Sequence, residues 1–304
     1  MQCIYALIQS KDESLEKQEK FLKLSMNNMY VLYILMLSLI KELHALAEKH
    51  LQHASKKYLA TEEDSYPNPE KFVNNQVLQQ IANNSQLQEH ISKRKLNNWY
   101  LNEDYVKIIH KEVLASSFYK SYMTSGKTGY AEDKELVVEL FKNVIAPNEK
   151  IYEYFEDDQL TWIDDFPIVN TFLLKRLKKA ESDVKEGYFL PRLLKDEQDM
   201  DFAKKLLTKT LLNNDTWEKE IEGKTPNWDN DRIAEIDSII LKMAICELLN
   251  FPSIPEKVTL NEYLEIAKEY STPKSSIFIN GVLDKLAKEY KTEGRLQKMG
   301  RGLR

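Results

Sequence analysis

The sequence predicts an all-α fold, and three observations carry the prediction. Glycine (8) and proline (9) are scarce for 304 residues while 42% of residues are hydrophobic, so the chain has a core to bury and few of the turns that sheets need. Apolar residues recur at spacings of three and four, as in Ile233, Ile236, Ile240, Met243, Ala244 and Leu248. The longest apolar run, residues 29–40, is short of the roughly 20 residues that cross a bilayer, which makes it a buried helix.

The elements follow in order. A short apolar helix spans 2–9 with Ile4, Tyr5, Leu7 and Ile8, and after the polar turn Lys11-Asp12-Glu13 the hydroxyl of Ser14 caps a long helix to about residue 53. The pattern breaks over 55–70 at Tyr66-Pro67-Asn68-Pro69. Further helices are expected at 71–85, 90–96, 103–123, 133–144, 152–160 and 166–181. Turns at 124–129, 146–148 and 164–167 separate them. A helix opens at Asp199-Met200-Asp201-Phe202, presents Leu206, Leu207, Thr210 and Leu211, and leaves through Trp217. The next runs from Arg232 to the stops at Pro252 and Pro255. Asn261, Leu264, Ala267 and Lys268 mark another, which Ser271-Thr272-Pro273 closes because the residue before proline avoids the helical region. The last carries Phe278, Ile279, Val282, Leu283 and Leu286. Asn280 and Gly281 stand out there, since packing needs no amide and glycine costs about 1 kcal/mol against alanine inside a helix.

Charge and cysteine bound the function. A net charge of −5 and a pI near 5.7 exclude a general nucleic-acid coat protein. Residues 285–304 nevertheless carry seven basic residues against Glu289 and Glu293, a local +5 that reads as a flexible basic tail. Cys3 and Cys246 lie far apart in apolar helices, as expected of reduced thiols in a cytoplasm, and the N-terminus has no export signal.

Sites of chemistry fail on inspection. Gly126-Lys127-Thr128 lacks the earlier glycine and the strand of a phosphate loop, because position 121 is serine and the preceding segment has helical period. His44, His50 and His53 share a helix without accompanying ligands and read as a solvated helix end. Asp157-Asp158 and Asp164-Asp165 compensate helix N-termini. No nucleophile elbow or cofactor loop is present, so the reading is a non-enzyme without cofactor or metal.

What remains is a set suited to RNA. Lys274, Ser275 and Ser276 start the last helix, where backbone amides and the positive dipole end favour phosphate. Phe278 is placed to stack on an unpaired base and Asn280 to bond a base edge.

The order and spacing of Arg232-Ile-Ala-Glu-Ile-Asp237-Ser-Ile-Ile-Leu-Lys242-Met-Ala-Ile-Cys-Glu247, of Pro255 to Glu262 and of Phe278-Ile-Asn280-Gly281-Val-Leu-Asp284 resemble the NusB family of helical RNA-binding transcription factors. The resemblance covers 1–55 and 196–291. It implies a NusB-like two-lobed helical bundle carrying a large helical insertion at 56–195, as in long members of the Bacteroidetes group, and ending in a basic tail at 292–304. It further implies a cytoplasmic antitermination factor that binds boxA-like single-stranded RNA of ribosomal RNA leaders with the ribosomal protein NusE, within the transcription elongation complex. Tyr5, Lys274, Ser275, Ser276, Phe278 and Asn280 would face RNA. Asp237, Lys242 and the exposed side of their helix would face NusE. The family opens with an arginine-rich stretch that would lie upstream of Met1, whose position looks internal to the first helix. Two rival readings are a NusB-fold scaffold without RNA and a detached RNA-binding domain related to ribosomal RNA cytosine methyltransferases.

Overall fold

A computed structural model describes residues 1–10, 14–54, 66–194, 196–222, 224 and 233–299. Helices are the only regular elements among the described residues. Helix α1 (Gln2–Ser10) precedes α2 (Leu15–Ala54), and Ser14 Oγ accepts the amide of Lys17 at 3.3 Å, the expected cap. Residues 15–53 are in fact long and apolar enough to cross a membrane by length and composition, but 67% of their most apolar window is buried in protein. The chain packs as two compact units, 1–24 with 194–304, and 25–193. The sequence places the border near residue 55; packing places it inside α2, where the apolar run from Leu32 to Ile40 joins the second core.

The second unit continues through α3 (Gln76–Ala82), α4 (Ser85–Arg94), α5 (Asn98–Leu101), α6 (Glu103–Ala115), α7 (Ser117–Thr124), α8 (Tyr130–Leu140), a π-turn over Phe141–Ile145, α9 (Glu149–Asp158) and α10 (Trp162–Lys178). Asparagines Asn75, Asn84 and Asn148 cap α3, α4 and α9 with their side-chain oxygens. The helix expected over 103–123 is two helices. Ser116 takes an extended conformation, donates to Val113 O at 2.6 Å and accepts the amide of Tyr119 at 3.2 Å, so one residue ends α6 and caps α7. The turn expected at 164–167 lies inside α10, which tolerates Pro167. Indole and phenol groups fix α2 in this core: Trp99 donates to Leu35 O at 3.0 Å, Trp162 to Asn28 O at 2.8 Å and Tyr33 to Phe189 O at 2.7 Å. Lys71, buried, donates to the carbonyls of Tyr122 and Ser125 at 2.7 and 2.9 Å and meets Glu132 at 3.3 Å. His44 is also buried, with Nε2 at 2.8 Å from Val73 O, whereas His50 and His53 are exposed as expected.

The first unit contains α1, the start of α2, α11 (Glu197–Leu212), α12 (Asn214–Ile221), α13 (Glu235–Asn250), α14 (Glu256–Tyr270) and α15 (Pro273–Thr292). Helix α11 starts two residues before the expected Asp199, capped by Asp196, whose Oδ1 accepts the Gln198 amide at 2.9 Å. Helix α13 is buried at Asp237 and at every residue from Ile239 to Leu248, with α1, α11, α12, α14 and α15 packed around it. Cys3 and Cys246 are buried free thiols, and burial pushes the Cys246 thiol up to about 11. The tail expected to be flexible is held down as far as it is described. Met299 N donates to Pro252 O at 2.8 Å, Lys298 Nζ to the carbonyls of Glu247 and Phe251, and Arg295 pairs with Glu220. Arg232, Arg301 and Arg304 lie outside the described residues.

Candidate nucleic-acid interface

The start of α15 is built by its cap. Thr272 Oγ1 accepts the Ser275 amide at 3.1 Å and lies 3.0 Å from the Ser275 hydroxyl, while Pro273 brings no N–H to the first helical position. Ser276 N already bonds Thr272 O at 3.0 Å. Lys274, an exposed residue, therefore supplies the uncapped amide of the first turn. Ser275 is buried within the cap and Ser276 half-buried, so of the two serines only Ser276 offers surface.

Helical spacing then sorts the rest of α15. Ile279, Val282, Leu283 and Leu286 enter the core as expected. Phe278 is half-buried and packs on that core with part of its ring outside, which joins the packing and surface roles in one residue. Asn280 and Gly281 are exposed, and nothing lies within 4 Å of where a Gly281 Cβ would stand. Ile277, which sequence reasoning missed, is 76% exposed between Lys274 and Gly281 on the same stripe. Its signal was available: it breaks the apolar spacing that buries its neighbours. Tyr5 stands apart on α1, 41% exposed, on a helix that packs against α11 and α13.

The expected partner residues are placed differently. Asp237 is 3% exposed and accepts the Ser271 hydroxyl at 2.5 Å; Lys242 is 7% exposed, donates to Asn214 Oδ1 at 2.9 Å and lies 3.8 Å from Glu218. The exposed side expected of their helix is narrower than the sequence suggests: residues 239–248 are all buried, and Glu235, Ser238 and Lys242 form the polar stripe that meets a groove. Lys242 reaches solvent only at the floor of a groove of about 380 Å³, walled by Ile8, Asn214, Glu218, Glu235 and Ser238.

Among the described residues no group of three or more His, Cys, Asp or Glu side chains is arranged to hold a metal.

Comparison with known proteins adds to this geometry. The model of the NusB family matches residues 170–288, beginning inside α10 and so within the segment the sequence assigned to the insertion. The transcription antitermination protein NusB of Salinibacter ruber is 45% identical over 108 residues, covering 36% of this chain and 68% of that protein. Its counterpart in Chloroherpeton thalassium is 38% identical over 126 residues, 41% of this chain and 60% of that protein. The one from Geotalea daltonii is 38% identical over 117 residues, 38% of this chain and 78% of that protein. No solved structure matches the chain significantly.

Proposed function

The chain belongs to the NusB family, and from that premise we propose that it acts in transcription antitermination in the cytoplasm, binding boxA-like single-stranded RNA of ribosomal RNA leaders jointly with NusE. The observation that carries the reading is the exposed start of α15 within the matched span, where Lys274, Ser276, Asn280 and the outer part of Phe278 stand on one helix end. A lysine and a free amide at one helix start suit a phosphate, and the half-exposed ring of Phe278 one turn on along the same flank suits a base, with Asn280 on the opposite flank of the helix. Tyr5 and Ser275 complete the set, Tyr5 as a second ring on α1 and Ser275 by fixing the cap. Lys242 would meet NusE through the groove above it, and Asp237 would hold α13 in place beneath. The mechanism is assembly, without a bond-making step. The test is binding of labelled boxA RNA by the purified chain, with and without NusE. Binding that tightens when NusE is added supports the proposal, and no binding in either arm overturns it.

The reading as a scaffold without RNA is favoured by the pI near 5.7 and by Arg295 and Lys298, the described basic residues after α15, which are engaged within the unit. The same measurement separates the two.

A further inference from the structure

The second unit holds a cleft that the α15 surface does not use. It is about 190 Å³ in size and lies between α2, α10 and residues 191–193, with Met29, Tyr30, Tyr33, Ile168, Phe172 and Arg192 among its walls and no carboxylate in its lining. The rings of Tyr30 and Tyr33 are parallel to within 11° with centroids 6.0 Å apart, and Phe172 meets Tyr33 edge-on at 5.8 Å. Ile168 and Phe172 are 62% and 41% exposed, so the apolar wall opens to solvent rather than into the core.

Three arginines from three segments stand at this cleft, one in its wall and two against its rings. Arg94, from α4, lies over Tyr30 at 5.5 Å from the ring centroid. Arg176, from α10, lies over Phe172 at 5.3 Å and over Tyr188 at 4.9 Å. Arg192 lines the cleft and is exposed. Among the described residues none of the three has a carboxylate at ion-pair distance; the side-chain partner of Arg94 is His90 Nδ1 at 2.5 Å.

Size and charge choose the occupant. The cleft is smaller than the roughly 300–1,000 Å³ of ordinary small-molecule pockets and admits one ring, not the row of side chains by which a docked helix anchors itself. An apolar side chain from a protein partner would leave three arginines without an anion. A nucleotide supplies both parts, a flat base for the rings and an anion for guanidinium forks that bind phosphate in two-pronged fashion.

We propose that this aromatic cleft is a second RNA contact of the chain, taking one unpaired base against Tyr30 and Phe172 while Arg94, Arg176 and Arg192 hold the flanking phosphates. The inference rests on the reading that the chain binds RNA, but it places a contact in the unit that lies mostly outside the matched span. It is tested on the full chain with oligouridylate containing 4-thiouridine, by crosslinking with peptide mapping and by affinity titration at several salt concentrations. Expected are crosslinks to peptides carrying Tyr30 or Phe172. Phe172→Ala should lose about tenfold or more in affinity at every salt concentration, and Arg192→Glu should lose affinity with a flatter salt dependence. Crosslinks confined to α1 and α15, with both variants binding as the parent does, overturn the cleft and leave the antitermination reading standing. Absence of RNA binding by the parent chain overturns both. Unchanged RNA affinity in Phe172→Ala together with loss of self-association in sedimentation would show that a second copy fills the cleft, and overturns the inference as well.

Discussion

The hydroxyl of Ser271 donates to the Asp237 carboxylate at 2.5 Å, tying the residue that ends α14 to the first turn of α13. The carboxylate is buried, so its removal strands a donor and opens the joint between two helices. Asp237→Ala is expected to cost about 1–3 kcal/mol of stability. Urea denaturation of the variant beside Ser271→Ala checks it. If the pair is the cause, the double variant should lose less than the sum of the singles.

Lys71 holds the second unit by a different arrangement, a buried ammonium shared between two carbonyls and Glu132. Lys71→Met keeps the length of the side chain and removes the charge, leaving Glu132 without its partner. A loss of about 3–5 kcal/mol is expected, the range for breaking a buried ion pair from one side. An unaltered unfolding midpoint for that unit would refute the role.

Two titrations in the second unit oppose each other. Burial, and then Asp164 beside it, push the Asp165 carboxyl up to about 6, and its Oδ2 is buried without a hydrogen-bond partner. Burial, and then His50 in edge contact at 4.9 Å, push His110 down to about 4. Folded Asp165 keeps a proton that the unfolded chain gives up, so its contribution is complete below the ordinary 3.8 and is lost as pH rises through about 6. Folded His110 refuses a proton that the unfolded chain accepts, so its contribution is complete above 6.5 and is lost as pH falls toward about 4. Asp165→Asn should gain on the parent as pH rises through this window, and His110→Gln should gain as pH falls. Midpoints of urea unfolding that keep the parent's pH dependence in both variants would contradict the assignment.

At the start of α15, charge and stacking separate by salt. Lys274→Glu should weaken RNA binding most at low salt and flatten the salt dependence by about 0.7, one phosphate contact on a single strand. Phe278→Ala should cost about 1–3 kcal/mol of RNA affinity at any salt. Because the ring is half-buried, the variant should also lose stability, by less than the 3–5 kcal/mol of a fully buried phenylalanine. Stability and affinity measured on one sample decide the balance, and unchanged affinity would leave Phe278 to packing alone.

The sequence made the helices legible because apolar spacing is a local property. Ser14 and the stops at Pro252, Pro255 and Pro273 are read within a few residues of where they act. The break at Ser116 escaped because apolar spacing continues across it, from Leu114 to Phe118 and Tyr122, and serine is no helix breaker. Asp237 and Lys242 are more buried than the sequence suggests for a different reason. A charged residue on an amphipathic pattern reads as surface, but their partners Ser271 and Asn214 come from distant segments that spacing does not bring together. Lys274 and Asn280 stand out in the sequence through chemistry that packing does not require and both are exposed, whereas an aliphatic residue such as Ile277 carries no such mark.

Helix α13 bears on how genetic data for this chain would be interpreted. It is enclosed by its neighbours at all positions from Ile239 to Leu248. Inactivating alleles from a screen would therefore gather there through loss of protein abundance, whatever α13 touches. Alleles that spare abundance would fall at exposed positions instead, so a screen that first sorts by expression level would draw the map of contacts, and one that does not would draw the map of the core.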